Sequence, residues 1–129
     1  MSKVSRETAE NHQDMGPLGV DHWSDLGGYR AEFVSVAEDV DLTPLLVGLP
    51  NDECQCAHLG YVIRGRLWSR SGGREESCGA GDAFYWKPGH TSGADAGSEF
   101  VILTPSDQIE ELSAHMMRRA QELQGASDH

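Results

Sequence analysis

The stretch Gly60-Tyr61-Val62-Ile63-Arg64-Gly65-Arg66-Leu67, followed by Gly81-Asp82-Ala83-Phe84-Tyr85-Trp86-Lys87-Pro88-Gly89-His90, decides the fold. Tyr61-Val62-Ile63 opens a strand that passes Arg64-Gly65-Arg66 and runs to Arg70, because β-branched and aromatic residues fit a pleated surface. Gly65 interrupts it as a bulge or bend would. Ser71-Gly72-Gly73 reads as a hairpin turn, since two glycines tolerate the positive φ that such a turn demands. The return strand is Arg74 to Ser77. Gly79-Ala80-Gly81-Asp82 is another turn, Ala83-Phe84-Tyr85-Trp86 another strand, and Lys87-Pro88-Gly89 ends it. Glu99 to Leu103 is a further strand.

Working outward, residues 1–16 are polar and without periodicity, which predicts a mobile arm. Trp23 and Leu26 are placed to dock the next stretch on the core, and Gly27-Gly28 marks a turn. Tyr29 to Val36 reads as a strand with apolar residues on both faces, which suits packing on two sides. Asp41-Leu42-Thr43-Pro44 is a turn, and Leu45 to Leu49 a short apolar strand closed by Pro50-Asn51-Asp52. At the other end, Ile109, Leu112, Met116, Ala120 and Leu123 recur at helical spacing. Ser106 is placed as N-cap and Gly125 as C′, giving a helix over about 106–124. Many short strands and then one helix predict an all-β fold, a small barrel or sandwich, in three parts: an arm at 1–16, a barrel domain at 17–104, and a C-terminal helix and tail at 105–129.

Composition narrows the function classes. The 129 residues suit one domain. Ten Lys and Arg against 21 Asp and Glu leave a net charge of −11. A nucleic-acid surface needs a basic patch to displace counterions, and an anionic membrane attracts one, so both partners are excluded as expectations. No apolar run follows Met1-Ser2-Lys3 as a secretory signal would require, and the longest apolar runs are too short to span a bilayer, so a cytoplasmic location is expected. Three cysteines in such a chain read as thiols or metal ligands rather than a disulfide framework.

The two quoted stretches resemble the paired motifs of the cupin superfamily, and the resemblance covers roughly residues 29–104. Residues 60–67 are similar to the Gly-Tyr-Val core of the first cupin motif, and residues 81–90 to the Gly-Asp…Pro-Gly-His of the second. The resemblance implies a cupin β-barrel (a double-stranded β-helix or jelly roll), a divalent metal held inside it, and a homodimer. In the family, motif 1 supplies His-x-His and a Glu or Gln, and motif 2 a His. Here the His-x-His positions fall at about Asp52 and Cys54, and the Glu or Gln position at His58. The motif 2 position falls near Ser92, two residues after the actual imidazole, His90.

What stands there has its own logic. Cys54, Cys56 and His58 lie at i, i+2 and i+4, so on a strand they share a face. A shift of two keeps His90 on the same face as position 92. Cys54, Cys56, His58 and His90 are therefore the candidate metal ligands. Two thiolates and two imidazoles form a tetrahedral set that favours Zn²⁺, with Fe²⁺ or another transition metal as alternatives. Asp52 is a weak fifth candidate. Against this, a buried Cys is often an inert core thiol, and an interior His is often only hydrogen-bonded. Cys78 reads as a plain thiol. His12, His22 and His129 fall in weakly patterned segments, and Glu111 with His115 reads as a surface pair on the helix.

Two functions follow from the resemblance and this ligand set. One is a small-molecule enzyme of isomerase, lyase, cyclase or dioxygenase type, using the metal. No general base is assigned; Asp52, Cys56 and Tyr85 qualify only if the pocket places them within reach. The other is a non-catalytic binding or sensing module with a structural zinc site. A barrel without metal is the third possibility. Val62 and Trp68 are expected to point outward and, with the terminal helix, to serve a dimer contact.

Overall fold

The computed structural model of the protein describes residues 2–127. Positions 128 and 129 of the expected tail, His129 among them, lie outside the described residues. Ten strands precede one helix: β1 Asn11–Asp14, β2 Val20–Leu26, β3 Tyr29–Ser35, β4 Val40–Asp41, β5 His58–Arg64, β6 Arg66–Ser71, β7 Arg74–Gly79, β8 Ala83–Trp86, β9 Thr91–Ala94, β10 Glu99–Pro105 and α1 Ser106–Ser127. They form a six-stranded sheet in the order β1-β2-β3-β10-β5-β8 and a four-stranded sheet in the order β4-β9-β6-β7. Neighbouring strands pair antiparallel throughout. The all-β architecture with a C-terminal helix is as the sequence predicts. No helix among the described residues is long and apolar enough to cross a membrane.

The expected strand from Tyr61 to Arg70 is two strands in two different sheets. Gly65 lies between them at φ +89° and packs so closely on Ser98 that a Cβ would collide with it. Chain that must bend this sharply in contact with another backbone takes glycine. The break lets β5 stay in the six-stranded sheet while β6 crosses to the four-stranded one.

Four other expectations need correction. Residues 11–14 are not part of a structureless arm: they pair in register with β2, Asn11 opposite Trp23 and Asp14 opposite Val20. β1 is an edge strand with mostly exposed side chains, so it needs no apolar alternation, and none was there to read. Leu45 to Leu49 is not a strand. Thr43–Leu46 is a 3-10 turn with Pro44 in its first positions, and Leu45 and Leu46 are buried through it. Gly125 lies inside α1 rather than capping it. Val62 points inward and is fully buried, and Trp68 is half-buried.

Two apolar clusters fill the barrel. Val36, Val40, Val62, Leu67, Cys78, Phe84, Trp86 and Ala94 pack between the sheets. Leu46, Cys54, Cys56, Ile109 and Leu112 pack at the end where α1 lies against the Thr43–Leu46 turn. The helix therefore lids the segment that carries the two cysteines. β9 is built from small side chains, all buried. A Cβ at Gly93 would collide with the Trp68 ring and the Val40 carbonyl, so that position takes glycine, and the strand around it carries little β signal in sequence.

Candidate metal centre

Cys54 and Cys56 do not lie on a continuous strand. Cys54 forms an isolated antiparallel bridge with His90, and regular β structure begins only at His58. Three backbone hydrogen bonds hold the bridge: Cys54 N–H to the His90 carbonyl at 2.7 Å, and the Gly89 and His90 N–H groups to the Cys54 carbonyl at 2.7 and 3.2 Å. This pins the first cysteine directly beside the second-motif histidine, although 36 positions separate them (90 − 54). Just upstream, Asn51 and Asp52 adopt positive φ, a strained conformation for residues with side chains.

The bridge and the start of β5 bring the cluster together. The ligand atoms of Cys54, Cys56 and His58 all lie within 4.8 Å of one another, and all three residues are buried. Cys54 Sγ is 3.5 Å from His58 Nε2. The His58 and His90 rings stand 5.3 Å apart, centroid to centroid. His58 and His90 thus face the same space, as the shift-of-two argument expects.

Each imidazole is oriented from behind. His90 Nδ1 is 2.7 Å from the Lys87 carbonyl. A carbonyl only accepts, so Nδ1 carries the proton and Nε2 of the neutral ring is a free lone pair. That Nε2 is buried, makes no hydrogen bond of ordinary geometry, and faces the Cys54 sulfur. His58 Nδ1 is 2.7 Å from Thr104 Oγ1, a partner able to take its proton and leave Nε2 toward Cys54. A histidine that binds metal through one nitrogen almost always gives its other N–H to such a partner.

The thiols are unequal. The hydrogen bond from Cys56 lowers the Cys54 pKa to about 2, against its burial and with further help from His58 and His90. The same hydrogen bond, with burial, pushes the Cys56 thiol far up. Burial alone would lower His90, but the Cys54 sulfur and the Lys87 carbonyl outweigh it and raise its pKa. A thiolate beside two imidazoles is a donor set that captures a soft divalent cation with the release of protons. The donor set fits a metal: the Cys54–Cys56–His58 cluster could hold an ion, and the His90 ring lies 5.3 Å from that of His58 beside it.

Other candidates fall outside. Asp52 is exposed, and its Oδ1 accepts from the Gly48 N–H at 2.9 Å, so it closes a loop. Tyr85 is exposed on the outer face of β8 and is no base for this site. Cys78 is buried opposite Leu67 between the sheets. His12 and His22 stack across β1 and β2, 4.6 Å apart. His115 does not pair with Glu111 in the way expected; its Nε2 lies 2.9 Å from the Val47 carbonyl. Two supporting residues had no signal in the sequence. Thr104 orients His58 from 46 positions away. Gln108, on α1, accepts from the Ala57 N–H through Oε1 at 3.0 Å, and its carbonyl lies 3.4 Å from Cys56 Sγ, where it competes with Cys54 for the one thiol proton.

No protein-family model matches this chain, and no curated protein does. Solved structures do. An RmlC-like cupin from Shewanella frigidimarina aligns over 82% of this chain and 96% of its own, at 16% identity and a TM-score of 0.54. A Rhizobium leguminosarum protein of unknown function aligns over 81% and 95%, at 18% identity and a TM-score of 0.57. KdgF from Halomonas aligns over 79% and 90%, at 20% identity and a TM-score of 0.53. At these identities the likeness establishes the fold, and the fold is the cupin barrel.

Proposed function

We propose, from the cupin barrel as premise, that this protein is a metal-binding cupin acting on a small molecule, with Cys54, Cys56, His58 and His90 holding one divalent metal inside the barrel. The observation that carries this reading is the buried Cys54–Cys56–His58 cluster, its ligand atoms within 4.8 Å of one another, with the His90 ring beside it. Two sulfurs and two imidazole nitrogens favour Zn²⁺, with Fe²⁺ as the alternative for a dioxygenase. A bound metal would supply a Lewis acid for isomerase, lyase or cyclase chemistry on an oxygen-bearing substrate. The chain's own part is to present Cys54 as a thiolate, to hold both rings by their far nitrogens, and to keep water out under α1.

A second reading is a binding or sensing module with a structural zinc. The count of four donors favours it, because a tetrahedral site filled by protein leaves no position for substrate. A homodimer in the cytoplasm completes the proposal. Its contact would be the outward face of the six-stranded sheet, where Leu59, Tyr61, Ile63 and Tyr85 are all exposed.

Elemental analysis of anaerobically purified protein tests the metal. One equivalent per chain is expected, falling in Cys54→Ser and in His90→Gln. Substoichiometric metal in the wild type, with stability unchanged in the Cys54→Ser, His58→Ala double variant, would remove the reading. X-ray absorption then separates the two functions: sulfur and nitrogen donors alone indicate a structural site, and an added oxygen donor indicates an open one.

A further inference from the structure

His12 on β1 stands directly opposite His22 on β2. Their row continues through Phe33 on β3 and Val101 on β10 to the exposed Tyr61 on β5, so the pair lies on the outer face of the six-stranded sheet. β1 is the edge of that sheet, and His12 is exposed. His58 of the Cys/His cluster is buried on β5, with β3 and β10 between it and β2. The histidine pair shares no residue with the cluster and stands whether or not the cluster holds metal.

The fold gives these imidazoles no partner but each other. Their ring centroids lie 4.6 Å apart with the planes tilted by 35°, and among the described residues neither ring makes a hydrogen bond. On its other side His22 meets Phe33, which offers no acceptor. The Ser24 hydroxyl, next on that face of β2, is taken by the Glu10 N–H at 2.7 Å. Two carboxylates flank the pair instead. Glu10 and Asp14 stand two positions to either side of His12, so strand alternation puts them on its face, and both are exposed. Asp14 spends one oxygen on the Gly16 N–H at 2.9 Å and keeps the other.

The ring separation matches a chelate. A bond of about 2.0–2.1 Å from an ion to an imidazole nitrogen puts the ring centre about 3.2 Å from the ion, so two rings at a right angle around it stand about 4.5 Å apart, and at the tetrahedral angle about 5.2 Å. The 4.6 Å between His12 and His22 fits the right angle. Nitrogen and oxygen donors at right angles are the tetragonal set preferred by Cu²⁺ and Ni²⁺, unlike the sulfur-rich set of the cluster. We infer that His12 and His22 chelate one Cu²⁺ or Ni²⁺ ion on the outer face, with a carboxylate of Glu10 or Asp14 and water completing its coordination. The net charge of −11 favours the approach of a cation. An ion held from both strands ties the edge strand β1 to β2, and it stabilises that pairing by mass action.

Ni²⁺ is the probe. The full chain is loaded with zinc, so that the cluster is filled, then desalted and titrated calorimetrically with Ni²⁺. One Ni²⁺ per chain should bind. His12→Ala and His22→Phe should each weaken it about tenfold or more, because the second donor of a chelate binds intramolecularly and its loss forfeits that gain. His12 lies exposed on an edge strand, and His22→Phe keeps a ring at its position, so circular dichroism should show both variants folded. His115→Gln should leave the Ni²⁺ affinity unchanged. Hydrogen exchange across residues 11–14 should slow when Ni²⁺ is added to the wild type and not when it is added to His12→Ala. Absence of Ni²⁺ binding, wild-type affinity in the folded variants, one ion per two chains, or exchange at 11–14 that Ni²⁺ leaves unchanged overturns the inference. Zinc content measured on the same samples keeps this site apart from the cluster.

Discussion

Lys87 O and Thr104 Oγ1 do for the two imidazoles what the cluster itself cannot: they fix which ring nitrogen turns inward, while Gln108 holds Ala57 and Cys56 from α1. Cys54, His58 and His90 were legible as candidates because their spacing survives in the linear chain. Their orienting partners were not, because a threonine on one strand and a glutamine on a helix have no local reason to be there. The hydrogen-bonded carboxyl pair of Asp21 and Glu32 was equally invisible, and it makes a pH prediction. Glu32 has its pKa raised above 4.5 by burial and by Asp21, so the folded state keeps a proton that the unfolded chain has lost. Stability from this group is present below pH 4.5 and is lost as pH rises through the raised value. Arg30 opposes the shift, and Asp21 reinforces it. Glu32→Gln removes the titration, so its melting temperature should gain on the wild type between pH 5 and pH 8 at fixed metal content. A difference that does not vary with pH would contradict the assignment.

The elements owe their positions to a few sharp constraints. β5 and β6 read as one strand because their residues do; only the Ser98 contact and a φ of +89° at Gly65 divide them. Gly65→Ala should therefore destabilise by about 2 kcal/mol or more, from the unfavourable φ together with the collision, as read by denaturant unfolding. Helix α1 was legible from its apolar stripe, and Ile109 and Leu112 are indeed buried. What the stripe covers was not: both residues pack on Leu46, Cys54 and Cys56. Ile109→Ala should cost about 2–4 kcal/mol, as a large-to-small core change does. If the helix also lids the cluster, the same variant should release metal to a chelator faster than the wild type. Unchanged release with lowered stability would limit α1 to a packing role.

At the scale of the whole molecule, two sheets close on the first apolar cluster, and α1 covers the second at one end. The outer surface is left with Leu59 beside Tyr85 on paired strands, and Tyr61 and Ile63 in the same stripe. Exposed apolar stripes of this kind are more common at interfaces than on free surfaces. Light scattering after size-exclusion chromatography should give twice the chain mass of 14.1 kDa, and Leu59→Asp with Tyr61→Asp should give one chain. A wild type that elutes as a single chain would sink the dimer. The face was expected elsewhere, at Val62, because a strand's alternation tells which residues share a side and not which side is in.

The sequence by itself determined the all-β class, the terminal helix, the cupin likeness and the cysteines and histidines that are candidates for the cluster. Each depends on short-range order: turn glycines, period-two and helical spacing, and motif residues a few positions apart. The tertiary structure alone decided that β1 is a strand, that Gly65 changes sheets, that Cys54 bridges to His90, and that His12 lies opposite His22. Those facts depend on which strands become neighbours. That choice is made by burying the whole apolar surface at once, and no local window of the chain contains it.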